Sequence, residues 1–164
     1  MHTLLPLAHL VADLLVQRRE TVAVAESSSG GMIASSLLAV PGASAYFLGG
    51  AVVYTARARR LLMAIDDTEM LGMRSSSEPY AALLARRSRD RFGSTWGLAE
   101  TGASGPTGNS YGDAAGHTCI AVAGPGPDGA AQAFTLETGH GDREDNMRAF
   151  AYAALKALHE ALSR

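Results

Sequence analysis

The feature of this sequence that most limits its fold is a short apolar strand that leads through a turn directly into a helix. Residues 21–25 (TVAVA) are β-branched and apolar, as in a buried strand. The hexapeptide ESSSGG follows at residues 26–31, and apolar side chains then recur at helical spacing up to Pro41. A strand joined to a helix by a tight turn is typical of an α/β sheet, on which the helix packs back.

Further strands are predicted along the rest of the chain. Residues 47–55 predict a second strand, in which Gly49 and Gly50 indicate a bulge or a close backbone approach. Three more strands are predicted over residues 96–101, 117–123 and 131–136. The turn GPGPDG at residues 124–129 joins the last two. We therefore expect one α/β domain over residues 1–164, a mixed β-sheet flanked by helices, with both crossover and hairpin connections.

Helical spacing of apolar residues predicts the remaining elements. A first helix is predicted from Leu7, Leu10, Val11, Leu14 and Leu15. The run that contains Arg57, Arg59 and Arg60 is predicted as a helix whose apolar side is formed by Ala58, Leu61 and Leu62. Ser77 is expected to cap a helix that continues to about Arg91 and exposes its arginines on a solvated face. A last helix begins at about Asp142 and has an apolar stripe that ends at Leu162.

Composition excludes several classes of protein. The 164 residues are 47% hydrophobic and 18% charged, which excludes a disordered chain, and one cysteine excludes an intramolecular disulfide framework. A net charge of −2 argues against nucleic acid as the main partner, and no apolar run reaches the ~18 residues of a membrane span. The apolar amino-terminal run lacks a basic leader and contains Asp13, so we expect a helix of a cytoplasmic protein rather than a signal peptide.

The turn ESSSGG is the first candidate site. Hydroxyl groups and free backbone N–H groups at a helix amino terminus suit an anion such as phosphate, and two glycines allow close approach. The same residues also suit an ordinary helix cap, in which serine side chains bond the free N–H groups. Because the turn is neither a P-loop nor a GxGxxG motif, the two interpretations are about equal from the residues alone.

The second candidate is the glycine-rich stretch from Thr101 to Asp113. So many glycines between two strands can form a cradle lined by backbone amides, although a flexible connection would have the same composition. A long loop without secondary structure is more often functional or mobile than inert, which favours a functional role.

The third candidate is the group Ser44, Tyr54 and Arg59. A serine near a tyrosine and a cation could be a nucleophile with its activator, but spacing alone favours Ser44 as a loop cap. The histidines have no metal-ligand spacing, so no metal site is expected. Arg143, at the start of the last helix, could hold an anionic ligand, although a solvated charge is commoner.

These stretches together resemble the CinA C-terminal domain family, whose characterised members are nicotinamide mononucleotide deamidases. The resemblance covers nearly the whole chain, in the order of the family's motifs. The matching residues are Glu26, Ser27, Gly30 and Gly31; Pro41, Gly42, Ser44, Ala45, Tyr46 and Phe47; Gly49, Gly50, Val52, Tyr54 and Ala58; Thr101, Gly102, Gly105, Pro106 and Gly108; and Gly141, Asp142 and Arg143.

The resemblance implies a serine amidohydrolase that converts nicotinamide mononucleotide to nicotinic acid mononucleotide and ammonia. Ser44 would be the nucleophile, Tyr54 its hydrogen-bonded neighbour and Arg143 a substrate-binding or site-stabilising cation. The two turns would hold the phosphate and ribose through Glu26, Ser27, Ser29, Gly30, Gly31, Thr101, Gly102 and Gly105. The resemblance implies no metal or organic cofactor and a homo-oligomer of two or more copies, and the charge and hydropathy of the chain predict no nucleic-acid or membrane partner.

Two positions depart from the family's pattern and leave alternatives open. Arg59 stands where the family has the lysine base, and an arginine keeps its proton in proteins. Asp113 stands where the family has a lysine, which exchanges a cation for a carboxylate near the presumed ligand. The chain could be an amidohydrolase in which Tyr54 acts as the base for Ser44. It could instead be a nucleotide-binding protein without catalysis, or a hydrolase of a different amide.

Overall fold

A five-stranded mixed sheet forms the centre of the computed structural model, which describes residues 2–125 and 130–164. The strands are Val22–Glu26 (β1), Phe47–Val52 (β2), Trp96–Ala103 (β3), His117–Ala123 (β4) and Ala131–Glu137 (β5). Their order in the sheet is β2-β1-β3-β4-β5, with β1 parallel to both of its neighbours and the other two pairings antiparallel. The expected mixed α/β sheet is confirmed. Part of the turn predicted at residues 124–129 lies outside the described residues.

Helices cover both faces of the sheet. They are Leu5–Arg18 (α1), Met32–Leu38 (α2), Ala56–Met63 (α3), Glu78–Phe92 (α4) and Arg143–Leu162 (α5), with a short 3-10 turn at Ala43–Ala45. On one face α1, α2 and α5 enclose a core with the larger side chains of the strands, and α3 and α4 lie on the other face. Over residues 2–125 and 130–164, no helix combines the length and apolar character needed to cross a membrane.

Small residues allow α4 to lie close to the sheet. Strand residues on this side include Ala99, Cys119 and Ala121, all fully or almost fully buried. A Cβ atom placed on Gly97 would lie 1.9 Å from the carbonyl oxygen of Ala85 in α4. The chain's scarcity of aromatic residues therefore has a structural counterpart, because this layer is packed with alanine, glycine and cysteine.

The bulge predicted in the second strand is present. The pairing of β2 with β1 shifts between Val22, which faces Phe47, and Ala23, which faces Gly49, so that Leu48 is the extra residue. The predicted cap of α4 is also confirmed, since the Ser77 hydroxyl accepts a hydrogen bond from the backbone N–H of Tyr80 at 3.4 Å.

The predicted apolar side of α3 is wrong. Leu61 is 68% exposed and Leu62 is also exposed, while Arg59 and Met63 are buried one turn apart. This helix has only two turns, and its orientation depends on the segment after it, because Arg59 bonds Ile65 and Asp67 there.

The arginines of α4 are expected on a solvated face, and this prediction is wrong for two of them. Arg89 is buried and donates to the carbonyl of Gly124 at 2.6 Å. Arg87 donates to the carbonyls of Met63 at 3.1 Å and Ala64 at 2.5 Å, which end α3. A cation at the carboxyl end of a helix bonds its free carbonyl groups, so Arg87 joins α3 to α4.

Candidate functional site

A cavity of about 350 Å³ opens at the carboxyl ends of β1, β2 and β3. The crossover from β1 through α2 leads to one neighbour of β1, and the crossover from β2 through α3 and α4 leads to the other. In open α/β sheets, ligands bind at such a reversal of strand order. Five predicted site residues line this cavity, namely Ser27, Tyr54, Arg59, Thr101 and Gly102.

The rest of the lining is rich in hydroxyl groups. Asn109 and Tyr111 come from the glycine-rich stretch that was the second candidate site, and the polar residues that sequence reasoning did not select are Thr55, Ser75, Ser76 and Tyr80. Burial raises the pKa of Tyr80 to about 12, although the charge of Arg59 acts in the opposite direction. The side chains that line the cavity, among the described residues, include no lysine, histidine or carboxylate. The lining therefore offers hydroxyl and amide hydrogen bonds and one buried cation.

Two buried glutamates hold the ESSSGG turn beneath this cavity. The carboxylate of Glu26 accepts the backbone N–H groups of Ile33 at 3.1 Å and Ala34 at 2.9 Å, and so caps α2. Glu100 of β3 accepts the backbone N–H groups of Ser27 at 3.0 Å and Ser29 at 2.9 Å. These four N–H groups are therefore already bonded within the chain. The capping interpretation holds for them, with glutamates rather than serines as the acceptors.

Glu100 is a buried acid beside the turn that sequence reasoning also missed. It is fully buried, and burial raises the pKa of its carboxyl group even though Ser27, Ser29 and Thr118 donate hydrogen bonds to it. The Ser29 hydroxyl lies 2.6 Å from Glu26 and 2.9 Å from Glu100, so a single hydroxyl joins two buried acids. An acidic residue within the otherwise apolar strand WGLAETGA was the visible signal.

Arg59 is fixed in the wall of the cavity. Its Nε atom donates to the carbonyl of Ile65 at 3.3 Å, and Nη2 bonds Asp67. The chain has one lysine, Lys156, which lies on α5 and is more than half exposed beside Glu160. Among the described residues that line the cavity, there is therefore no lysine, and the position that a lysine base would take is occupied by Arg59.

Arg143 joins Tyr54 to the glycine-rich loop. Its Nη1 atom donates to the carbonyl of Gly105 at 2.6 Å, and Nη2 donates to the phenolic oxygen of Tyr54 at 3.4 Å. Tyr54 is otherwise largely exposed at the rim of the cavity. The predicted cation thus contacts one predicted catalytic residue, although it does not itself line the cavity.

Ser44 lies at the opposite end of β2 from Tyr54. It belongs to the 3-10 turn Ala43–Ala45 before the strand, whereas Tyr54 follows the strand. The six residues of β2 span about 20 Å at ~3.3 Å each. Ser44, Tyr54 and Arg59 therefore do not converge within one chain, because a residue before a strand and a residue after it reach opposite edges of the sheet.

The remaining predicted binding residues do not line the cavity. Ser29 and Gly105 are buried, and Gly31 is half-buried at the start of α2. Gly30 is exposed to solvent, but a Cβ atom there would lie 2.6 Å from the Met147 side chain. With Glu26, these residues shape the two turns and are absent from the lining of the cavity.

Asp113 is paired within the protein. Arg74 donates to its two carboxylate oxygens at 2.5 Å and 2.9 Å, and Asn109 donates at 2.8 Å. Its charge is therefore balanced by Arg74 before any ligand arrives. In the described part of the chain, no group of three or more histidine, cysteine or acidic residues could hold a metal ion.

Two relatives of similar sequence are both CinA-like proteins. A CinA-like protein of Chlorobaculum tepidum is 38% identical over 156 residues, which cover 93% of this chain and 36% of that protein. One of Gloeobacter violaceus is 45% identical over 120 residues, or 73% of this chain and 28% of that protein. The chain thus spans about a third of the length of these relatives.

Solved structures agree in fold. The competence damage-inducible protein A (ComA) of Klebsiella pneumoniae superposes with a TM-score of 0.90 at 25% identity over 98% of both chains. The competence/damage inducible protein CihA of Agrobacterium tumefaciens gives 0.87 at 26% identity, over 98% of this chain and 96% of that one. The CinA C-terminal domain family matches residues 4–162, and the chain therefore belongs to this family.

Proposed function

We propose that the cavity binds a pyridine mononucleotide of the nicotinamide mononucleotide class, and that the chain hydrolyses the carboxamide slowly or not at all. The observation that carries this proposal is the state of Arg59. Its guanidinium bonds Ile65 and Asp67 at the position where a base would be needed. A permanently protonated arginine cannot accept a proton from a serine.

The other groups in the lining do not replace a lysine base. Tyr80, with a pKa of about 12, keeps its proton near neutral pH. The described lining has no histidine or carboxylate, and Lys156 lies on α5 away from the cavity. Binding of a ligand needs no proton acceptor, whereas activation of a serine nucleophile needs one.

The cavity has groups that could contact the pyridinium ring and the phosphate of such a ligand. Tyr54, Tyr80 and Tyr111 line the cavity, and an electron-rich ring face attracts a positively charged pyridinium ring. Arg59, which lines the cavity, and Arg143, which contacts Tyr54, are two cations that could attract the phosphate. A volume of about 350 Å³ lies within the ~300–1,000 Å³ that is usual for small-molecule pockets.

Two assays on the same protein test the proposal. Isothermal titration calorimetry with nicotinamide mononucleotide should give a dissociation constant in the micromolar range, at roughly −8 kcal/mol. Ammonia release from the same ligand should stay near background. Arg59→Lys should raise ammonia release where another copy of the chain brings Ser44 to the cavity, because a buried lysine can lose its proton. The matched control is Arg60→Lys on the same helix, where the arginine is exposed and the rate should not change. Rapid release by the unmodified chain would contradict the proposal, as would the lack of measurable binding.

A second candidate is retained hydrolysis of the carboxamide. The contact between Arg143 and the phenolic oxygen of Tyr54 favours it, because a cation beside Tyr54 supports a role for this phenol in proton transfer. Ser44, as nucleophile, could then act only if another copy of the chain brought it to the cavity, in a cytoplasmic homo-oligomer. Mixing Ser44→Ala with Tyr54→Phe tests this. Activity regained only in the mixture would support it, and equal activity of Ser44→Ala and the unmodified chain would exclude it.

A further inference from the structure

Two walls of the cavity are joined by a group of charged side chains that line none of it. One wall is the glycine-rich loop, which contributes Asn109 and Tyr111, and the other is formed by Ser75 and Ser76. Arg74, Asp113 and His117, which we call the rim clasp, connect the two. The bidentate contact of Arg74 with Asp113 spans 39 positions of sequence. Arg74 also lies over the ring of Tyr111, 5.6 Å from its centroid.

His117 is the buried member of the rim clasp. Its Nδ1 atom bonds the carboxylate of Glu137, and its Nε2 atom lies 3.0 Å from the carbonyl of Ser76 and 3.7 Å from Asp113. These three partners are hydrogen-bond acceptors when the carboxylates are ionised. A neutral imidazole has one N–H group and can serve only one side of the ring, whereas the imidazolium donates from both nitrogens. The geometry therefore requires the charged ring for both bonds.

The surroundings of His117 favour this charge. Burial alone would lower the pKa of His117, but the bonds to Glu137 and Ser76 and the charge of Asp113 raise it above its usual value. Burial also acts on Asp113, yet Arg74 and Asn109 hold the pKa of its carboxyl group below the usual range.

Three further ionisable groups, Cys119, Glu78 and Arg74, lie in the surroundings of this histidine. Burial raises the pKa of the neighbouring Cys119 thiol, whose sulfur lies 3.7 Å from Nε2. The Thr135 hydroxyl donates to Glu78 of α4 at 2.7 Å and lies 3.5 Å from the sulfur of Cys119. Arg74 stays positive beside Asp113. Within this cluster, His117 therefore keeps its proton to a higher pH than an ordinary histidine, because Glu137, Ser76 and Asp113 raise its pKa.

A change at His117 would reach the cavity through Ser76. The backbone of Ser76 has a φ of 56°, which is uncommon for a residue with a side chain, and its carbonyl is held by the His117 ring at 3.0 Å and by Nη1 of Arg74 at 3.2 Å. Its N–H group donates to Thr101 at 3.3 Å, and both residues line the cavity. Loss of the bond from His117 would leave this strained part of the wall held by the longer bond from Arg74.

We propose that Asp113 and His117 are positioning residues for the ligand. The protonated histidine and the Arg74–Asp113 pair hold the glycine-rich loop against Ser75 and Ser76, and deprotonation of His117 opens this contact and weakens binding. This inference rests on the proposed binding function. It predicts affinity that falls as the pH rises through the pKa of His117.

Calorimetric titration with nicotinamide mononucleotide from pH 7.0 to 9.5 tests the effect on binding, above the phosphate pKa of about 6. The dissociation constant of the unmodified chain should rise about tenfold over this range, as for loss of one charged hydrogen bond. His117→Gln should bind with the weaker constant at every pH. Asp113→Asn, which keeps the shape of the side chain, should also weaken binding. The control His140→Gln changes an exposed histidine and should keep the original pH profile. Equal, pH-independent affinity of His117→Gln and the unmodified chain would overturn the proposal.

Hydrogen exchange of the ligand-free protein separates this inference from the proposed function. Peptides covering residues 105–116 should be protected at pH 7 and less protected at pH 9.5, after correction for the intrinsic exchange rate. In His117→Gln they should lack this protection at both values. If the protection follows this pattern but nicotinamide mononucleotide does not bind, the proposed function fails and the rim clasp stands. If the loop of His117→Gln is as protected as that of the unmodified chain, the rim clasp fails.

Discussion

Replacement of Glu26 by alanine should strongly destabilise the protein. The Glu26 carboxylate is fully buried and accepts hydrogen bonds from the N–H groups of Ile33 at 3.1 Å and Ala34 at 2.9 Å, and from the Ser29 hydroxyl at 2.6 Å. The N-cap position of α2 is Gly31, which has no side chain to take over this role. Alanine would leave two buried N–H groups at the start of α2 without an acceptor.

The expected magnitude follows from these bonds. Hydrogen bonds to charged groups contribute about 1.5–3 kcal/mol each, so two backbone bonds correspond to about 3–6 kcal/mol. Single domains are stable by only about 5–15 kcal/mol, and the loss is therefore a large part of the total. Glu26→Gln keeps one acceptor oxygen and should lose about 1–3 kcal/mol, because its NH₂ group would face an N–H group.

Urea unfolding at pH 7, followed by the fluorescence of Trp96, measures this loss. Trp96 is the only tryptophan of the chain and is buried against the core, so it reports global unfolding. The matched control is Glu144→Ala, which removes an exposed glutamate paired with Arg148 and should change the free energy of unfolding by less than about 1 kcal/mol. The reasoning is refuted if Glu26→Ala is no less stable than Glu144→Ala.

Three further changes have expected outcomes. Burial raises the pKa of Glu100, so the unmodified chain should lose stability as the pH rises from about 4.3 through the pKa of the folded state. Glu100→Gln should lack this loss in urea unfolding at pH 4.5 to 8; a parallel pH dependence of both proteins would contradict it. Gly97→Ala should destabilise by about 1–3 kcal/mol, because the new Cβ would lie 1.9 Å from the carbonyl oxygen of Ala85, and an unchanged unfolding midpoint would count against this close packing. Tyr46→Phe should cost about 1–2 kcal/mol, since its buried hydroxyl donates to the Leu37 carbonyl at 2.6 Å, and thermal unfolding would show no shift if this bond were unimportant.

The location of the cavity could be predicted from the sequence, but not all of its residues. Ser27 follows the first strand and Tyr54 the second, and Thr101 lies near the end of the third. Parallel strands bring these positions to one edge of the sheet, and the order of the elements alone contains this information. The same reasoning would have separated Ser44 from the cavity, because it precedes its strand.

Other parts of the site depend on contacts between distant segments. The buried position of Arg59, with Leu61 exposed on the same helix, is determined by Ile65 and Asp67 and by packing against α4. The pairing of Arg74 with Asp113 has no local signal, since each would be read as a solvated charge in a loop. Hydrophobic periodicity describes which face of a helix is apolar, but it does not identify an ion pair between distant segments.

The two glutamates beneath the cavity also bear on how a ligand would enter it. Because Glu100 bonds two N–H groups of the ESSSGG turn and Glu26 bonds two at the start of α2, the turn keeps its shape without help from an anion. Binding would then order little of the backbone of this turn. The favourable free energy of the ligand contacts would therefore be reduced only slightly by loss of conformational entropy. The heat-capacity change of binding should accordingly be that of a small preformed surface rather than of a folding transition.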